Sequence, residues 1–230
     1  EKWNLHRRVA LLTLARVGVE PRRIVLGMML STGFLSLWVS NTATTLMMLP
    51  IGLSVLTLVV EHSPTRQSAS DVEALHSGAR ITDVIEDDNI KRFGVCLILA
   101  IAWSATMGGL GTLLGSPPNA IVAGYAADEL GRSIGFLEWM MIGLPLALTF
   151  ILIGWVLMTR VLYPFSLDEI PGGREMIDKE IRDLGPLSQG EKVVMAVFGA
   201  AAFLWVVPGL LAAIPGLGDR LGPIGDLNDT

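Results

Sequence analysis

Residues 24–60 read IVLGMMLSTGFLSLWVSNTATTLMMLPIGLSVLTLVV, 37 residues without a single Asp, Glu, Lys, Arg or His. A run of about 18 or more apolar residues is the mark of a membrane segment. Its middle is polar: Ser36, then Ser40-Asn41-Thr42, then Thr44-Thr45. Two apolar arms around a polar centre read as a helical hairpin whose tip lies at membrane depth. Residues 24–39 as a helix reach only about 24 Å, short of a hydrocarbon core of about 30 Å.

Three further charge-free blocks follow, at 93–127, 139–159 and 193–218, and the four together make up about half of the 230 residues. Hydrophobic residues are 51% of the chain and charged ones 17%, against about 25% charged in an ordinary soluble domain. The fold class is therefore all-α and membrane-embedded. A soluble enzyme and a disordered linker are excluded. A net charge of −5 gives no footprint for nucleic acid. Cys96 stands alone in an apolar block, so there is no disulfide framework and no cysteine–histidine metal pattern. His6, His62 and His76 lie in charged flanks and read as surface residues. The chain opens on a charged Glu1-Lys2-Trp3 with no signal-peptide pattern and closes on a polar tail. It reads as a piece of a longer protein.

Lysine and arginine set the expected sidedness. Residues 1–23 hold six, 61–92 hold four, 128–138 hold one, 160–192 hold five and the tail from 219 holds one. The positive-inside rule places the first, second and fourth of these in the cytoplasm. Block 24–60 then begins and ends on one side. A re-entrant hairpin fits that, and so do two short complete spans joined by an external turn; the re-entrant form is the expectation. The organisation follows: 1–23 a cytoplasmic or interfacial helix, 24–60 the hairpin, 61–92 a cytoplasmic segment, 93–127 a crossing, 139–163 a transmembrane helix, 164–192 a second cytoplasmic segment, 193–210 another transmembrane helix and 211–230 an external tail.

The crossing at 93–127 cannot be one regular helix. Its centre reads Gly108-Gly109-Leu110-Gly111-Thr112-Leu113-Leu114-Gly115-Ser116-Pro117-Pro118-Asn119, and glycine and proline are costly inside a helix. A helix to about 107, an unwound stretch and a second helix from about Pro117, with Ser116 at its N-cap, is expected. Irregular backbone within a bilayer is tolerated where it is buried in protein or lines a watery cavity, and broken helices are a usual place for a transporter's substrate. The blander alternatives are a capped turn at Ser40-Asn41-Thr42 and a proline kink at Pro117.

Two such breaks suggest specific chemistry. Each helix start offers amide N–H groups and about half a positive charge, which suits an anion. Ser40, Asn41, Thr42 and Ser116 add side-chain donors, and oxygens at the same breaks can hold a hard cation such as Na⁺. No lysine or arginine lies in these blocks, so a co-bound cation is the natural full positive charge. No aspartate, glutamate or histidine lies there either, which tilts coupling towards Na⁺ rather than a proton relay.

Trp38-Val39-Ser40-Asn41-Thr42-Ala43-Thr44, Met47-Met48-Leu49-Pro50, the Gly115-Ser116-Pro117-Pro118-Asn119 break and Gly190-Glu191-Lys192 before the last span resemble the divalent anion:sodium symporter family, the INDY-type di- and tricarboxylate transporters. The resemblance covers nearly the whole chain. It implies an inverted-repeat secondary transporter, not an enzyme, that moves a dicarboxylate with Na⁺ by an elevator-like motion. It also implies a homodimer in the cell's inner or plasma membrane. Carried onto this chain, it assigns Na⁺ to Ser36, Ser40, Asn41 and Gly115, and the substrate carboxylate to Ser40, Asn41 and Thr42 with Ser116 and Pro117 adjacent. The family's second Ser-Asn-Thr motif is not in this sequence, so the chain would hold most of repeat one and the first span of repeat two. The rivals are a Na⁺-independent dicarboxylate exchanger and a permease for an inorganic anion such as sulfate. From other classes, an ion channel would need a continuous polar lining, and an intramembrane hydrolase a base or nucleophile set at depth.

Sidedness gives a direct test of the hairpin. Cysteines introduced at Leu37 and Ala43 are expected to react with aqueous thiol reagents from one face of the membrane only, and slowly. Rapid labelling of both, as in an open external loop, would favour two complete spans.

Overall fold

The computed structural model describes residues 5–61, 74, 77–167 and 173–212, and these form helices and connecting turns without a strand. Helix α1 is Leu5–Val17. Gly18, in the left-handed region at φ 104°, turns the chain into α2, Pro21–Ser36, which has proline in its first turn. Residues 37–40 break the helix, and α3 runs Asn41–Glu61. After the short α4, Ile81–Val84, Asp87 caps α5, Asp88–Gly109. Its carboxylate accepts from the N–H of Asn89 at 2.8 Å and of Ile90 at 3.1 Å. Helix α6 is Pro117–Leu130 and ends at Gly131, φ 61°. Helix α7, Phe136–Leu157, runs on through a π-helical turn, Met158–Leu162. Helices α8, Gly173–Asp183, and α9, Gln189–Ala212, complete the fold. The expectations for most of the 62–76 loop, with His62 and His76, and for the tail beyond 212 lie outside the described residues.

Among the described residues, four helices are long and apolar enough to cross a membrane: Asn41–Val60, Asp88–Gly109, Phe136–Leu162 and Gln189–Val207. The hairpin is lopsided. Helix α3 has the length of a full span, whereas α2, with 16 residues, reaches about 24 Å. The outer faces of α7 and α9 carry exposed Met141, Ile142, Ile153, Val197, Phe203 and Leu204, apolar surface of the kind a bilayer accepts.

The core lies where both hairpin arms pack on α5. Met28, Met29, Met48, Leu56, Phe93, Leu97 and Ile101 are fully buried there. The closest approach is glycine on glycine. A Cβ on Gly108 of α5 would run into the carbonyl oxygen, Cα and C of Gly33 in α2. Lipid gives helices no hydrophobic reason to associate, so close backbone packing at small residues takes that role.

Helix α1 is expected to lie along the membrane surface. In the structure it packs on α2, with Ala10 and Leu14 fully buried and Leu14 against Gly27. Its Arg8 pairs with the buried Glu191 at 2.8 Å and donates to the carbonyls of Leu184 and Gly185. Glu191 also accepts from the Ser188 N–H at 2.8 Å while its own N–H donates to the Ser188 Oγ at 3.2 Å. This capping box starts α9, so α1 holds both the hairpin and the beginning of the last span.

Gly108→Ala should be strongly destabilising, because backbone rather than a flexible side chain blocks the added methyl; overpacking typically costs about 1–3 kcal/mol and here at least the upper end. Gly124→Ala in α6 meets nothing within 4 Å and should be neutral or stabilising by up to about 1 kcal/mol through helix propensity. Thermal unfolding of the intact protein in detergent compares the two.

Candidate functional site

The two helix breaks meet. The first, 37–40, separates α2 from α3; the second, 110–116, separates α5 from α6. Thr112 of the second donates its hydroxyl to the Leu37 carbonyl of the first and accepts from the Gly115 N–H at 3.1 Å. Asn119, almost fully buried, donates both amide protons, to Gly109 O at 2.7 Å and Thr112 O at 2.8 Å. Trp139 of α7 donates its indole N–H to Leu110 O at 3.0 Å. The carbonyls of Leu110 and Gly111 also lie against Gly143 of α7. The unwound segment therefore has its polar atoms answered from α3's entrance turn, from α6 and from α7, as irregular backbone within a membrane requires.

Gly115 sits where the breaks touch. A Cβ there would stand 2.6 Å from Gly109 O, 2.8 Å from Ser36 O and 2.9 Å from Gly109 Cα. Only glycine admits this approach. It places the Gly115 carbonyl beside the Asn41 amide.

Ser36 is fully buried. Its Oγ lies 2.6 Å from Ala105 O and 2.8 Å from the Asn41 amide. A hydroxyl has one proton, and Ala105 O can only accept, so Ser36 gives its proton there. The Asn41 amide then has two settings. With NH₂ turned inward it donates to Ser36 Oγ at 2.8 Å, Ala105 O at 3.0 Å and Gly115 O at 3.3 Å. With Oδ1 turned inward, the same position faces oxygen acceptors alone. That arrangement of four oxygens is stable only around a positive charge, and hard cations take oxygens at about 2.3–2.6 Å, as Ca²⁺ does. The donor set thus fits Na⁺.

The expected site residues divide into two groups. Ser36, Asn41 and Gly115 come together in this buried cluster. Ser40, Thr42 and Pro117 are exposed and Ser116 is partly exposed. Ser40 caps α3, accepting from the Ala43 N–H at a long 3.4 Å, while its carbonyl accepts from Thr44 N at 2.9 Å. The N–H groups of Asn41 and Thr42, in the first turn, have no acceptor within α3.

At α6 the expectation of amide donors needs correction. Pro117 and Pro118 carry no N–H, and the Asn119 N–H is taken by Ser116 O at 3.0 Å. This helix start offers its dipole and the Ser116 hydroxyl, which makes no capping bond, rather than a row of amides. Sequence reasoning also passed over Thr112 and Asn119 as site residues. Asn119 stood in the quoted motif, and a two-proton amide three residues after a helix start, beside an unwound stretch, was the available signal.

Asn119→Leu should leave the Gly109 and Thr112 carbonyls without donors, at about 1–3 kcal/mol for each group left unpaired. The loss of melting temperature should exceed that of a Leu substitution at the exposed Ala120.

The family model described as the sodium:sulfate symporter transmembrane region matches residues 1–215. The sodium-dependent dicarboxylate transporter SdcS of Staphylococcus saprophyticus is 37% identical over 206 residues, covering 90% of this chain and 36% of the relative. SdcS of Staphylococcus aureus is 36% identical over the same coverage. The chain therefore spans about a third of the length of the curated relatives it matches.

Proposed function

The chain belongs to the sodium:sulfate symporters, the divalent anion:sodium symporter family of membrane transport proteins, and on that premise we propose that it forms part of a secondary transporter that moves a dicarboxylate with Na⁺. The observation that carries this is the convergence of Ser36 Oγ, Ala105 O and Gly115 O on the Asn41 amide, in blocks of sequence without charged residues; the Asn41 Oδ1, turned inward, makes a fourth oxygen. These four oxygens, with Ser40 beside them, hold the cation. The named relatives support Na⁺ as the ion and a dicarboxylate as the anion.

The roles follow from exposure and charge. Ser40 and Thr42 lie open on the outer side of the cluster and donate hydroxyl protons to a substrate carboxylate. The Asn41 and Thr42 N–H groups and the α3 dipole add to that field. Ser116 donates from the second break, and Pro117 shapes the wall. Helix dipoles supply only part of a charge, so the cation a few ångströms away is the main counter-charge for the anion. Each then raises the other's affinity by the same factor, which makes the transport a symport.

Motion follows from the packing. Helices α2, α3, α5 and α7 share one core and would move as a body. Helix α9 is tied to α1 at its start by the Arg8–Glu191 pair, which would have to part or travel with the body, and further along it meets the body through aromatic rings: Trp38 stacks edge-on against Phe198 with ring centroids 4.7 Å apart, and Phe136 lies 5.5 Å from Trp205. The proposal is that the hairpin-bearing body slides against α9, in elevator fashion, within a homodimer, and that the hairpin is re-entrant within one of two inverted repeats.

In the full-length protein, Asn41→Ala should remove Na⁺-dependence and anion binding together. Thr42→Val should weaken substrate binding about ten- to a hundredfold, the loss of one hydrogen bond to a charged group, with Na⁺ binding retained. Succinate and sulfate binding measured against Na⁺, with choline as the replacement ion, checks both. Binding indifferent to Na⁺ would favour the exchanger, and sulfate preferred over succinate the inorganic-anion permease.

A further inference from the structure

Many hydroxyls along the described helices follow one rule, from which Thr44 departs without finding another partner. Ser31, Thr32, Thr45, Ser54, Thr149 and Thr159 each donate to the carbonyl four residues back, at 2.7–2.9 Å. Back-bonding of this kind satisfies a hydroxyl inside an apolar helix. Thr44 is fully buried, and among the described residues its Oγ1 is the one buried hydroxyl oxygen without a hydrogen-bond partner. The acceptor four residues back, Ser40 O, is present and takes only the Thr44 N–H. Valine has the same shape and would sit there without an unanswered polar atom.

Thr44 stands one turn along α3 from the cluster. It follows Asn41 by three residues, on the arc that continues through the buried Met48 and Ile51. That arc faces α5, whose Ala105 and Gly109 lie against the Asn41 amide. The cluster itself offers four oxygens, and hard cations of this kind favour six or more. We propose that Thr44 Oγ1 is a further oxygen ligand of the cation held at Asn41. It gives a lone pair to the ion while its proton turns to the Ser40 carbonyl. The proposal rests on the Na⁺ reading above and adds a residue to it.

The test is a Na⁺ titration of the intact protein without substrate, read as thermal stabilisation, with choline holding the ionic strength. Thr44→Val is expected to raise the Na⁺ concentration for half-maximal stabilisation about tenfold, as loss of one polar contact to a charge implies. In choline alone its melting temperature should equal or exceed the wild type, since no protein hydrogen bond is lost. Thr44→Ser should titrate like the wild type. A wild-type titration in Thr44→Val, or a melting temperature lowered in choline with unchanged Na⁺ affinity, would overturn the proposal and leave the Na⁺ site standing, provided that Asn41→Ala abolishes the stabilisation. No Na⁺ stabilisation of the wild type would sink the underlying reading as well. Should Thr44→Val not be recovered folded, Thr44→Ala carries the same expectation and the same refutation.

Discussion

The contact of Gly33 with Gly108 sets the distance between α2 and α5, and the site depends on that distance. At the next turn of each helix it lets the Ser36 hydroxyl reach the Ala105 carbonyl at 2.6 Å. A helix carbonyl already serves its own ladder, yet keeps a lone pair for such a visitor. With larger residues at 33 and 108 the helices would part, and Ser36, Asn41 and Gly115 would no longer share one volume. The fold here is held by backbone fit rather than by expulsion of water, because lipid is as apolar as the side chains it replaces.

A second constraint is the accounting of backbone polar groups. Breaking two helices at membrane depth frees carbonyls and amides that nothing in hydrocarbon can answer. Thr112, Asn119 and Trp139 answer those of the 110–116 break. One hydroxyl, one amide and one indole, from three parts of the chain, fix the loop against the hairpin turn. The Gly115 carbonyl of the break and the Ala105 carbonyl of α5 are the ones that face the Asn41 amide. Satisfying the break and gathering the oxygens around Asn41 are the same arrangement of atoms.

The electrostatics of the breaks are of an unusual kind for a site proposed to take an anion. Arg8 and Glu191 neutralise each other at the start of α9, far along the chain from the breaks, and the breaks themselves hold no formal charge. Positive potential comes from the start of α3 and, less than a helix start normally gives, from α6, whose first two residues are prolines. A mobile ion suits such a place better than a fixed lysine would. On the proposed symport the counter-charge would arrive and leave with the substrate, and the empty protein would not be left with a buried charge to solvate.

The sequence by itself determined the class of protein. Four charge-free blocks make helices in a membrane, the Gly-rich stretch 108–116 ends one helix, and Pro117 starts another. These are local matters of hydropathy, missing N–H groups and backbone entropy, and they are legible residue by residue. Of the cluster, Asn41 was legible as a polar group at a break, whereas Ser36 and Gly115 were legible only through resemblance to a known family. The tertiary structure alone decided which polar atoms meet. It put Ser36 and Asn41 in the buried cluster with Gly115 and left Ser40 and Thr42 open. It singled out Thr112, Asn119 and Thr44. Those outcomes depend on the crossing of α2 with α5, between residues 75 positions apart in the chain, for which no local spacing in the sequence is a measure.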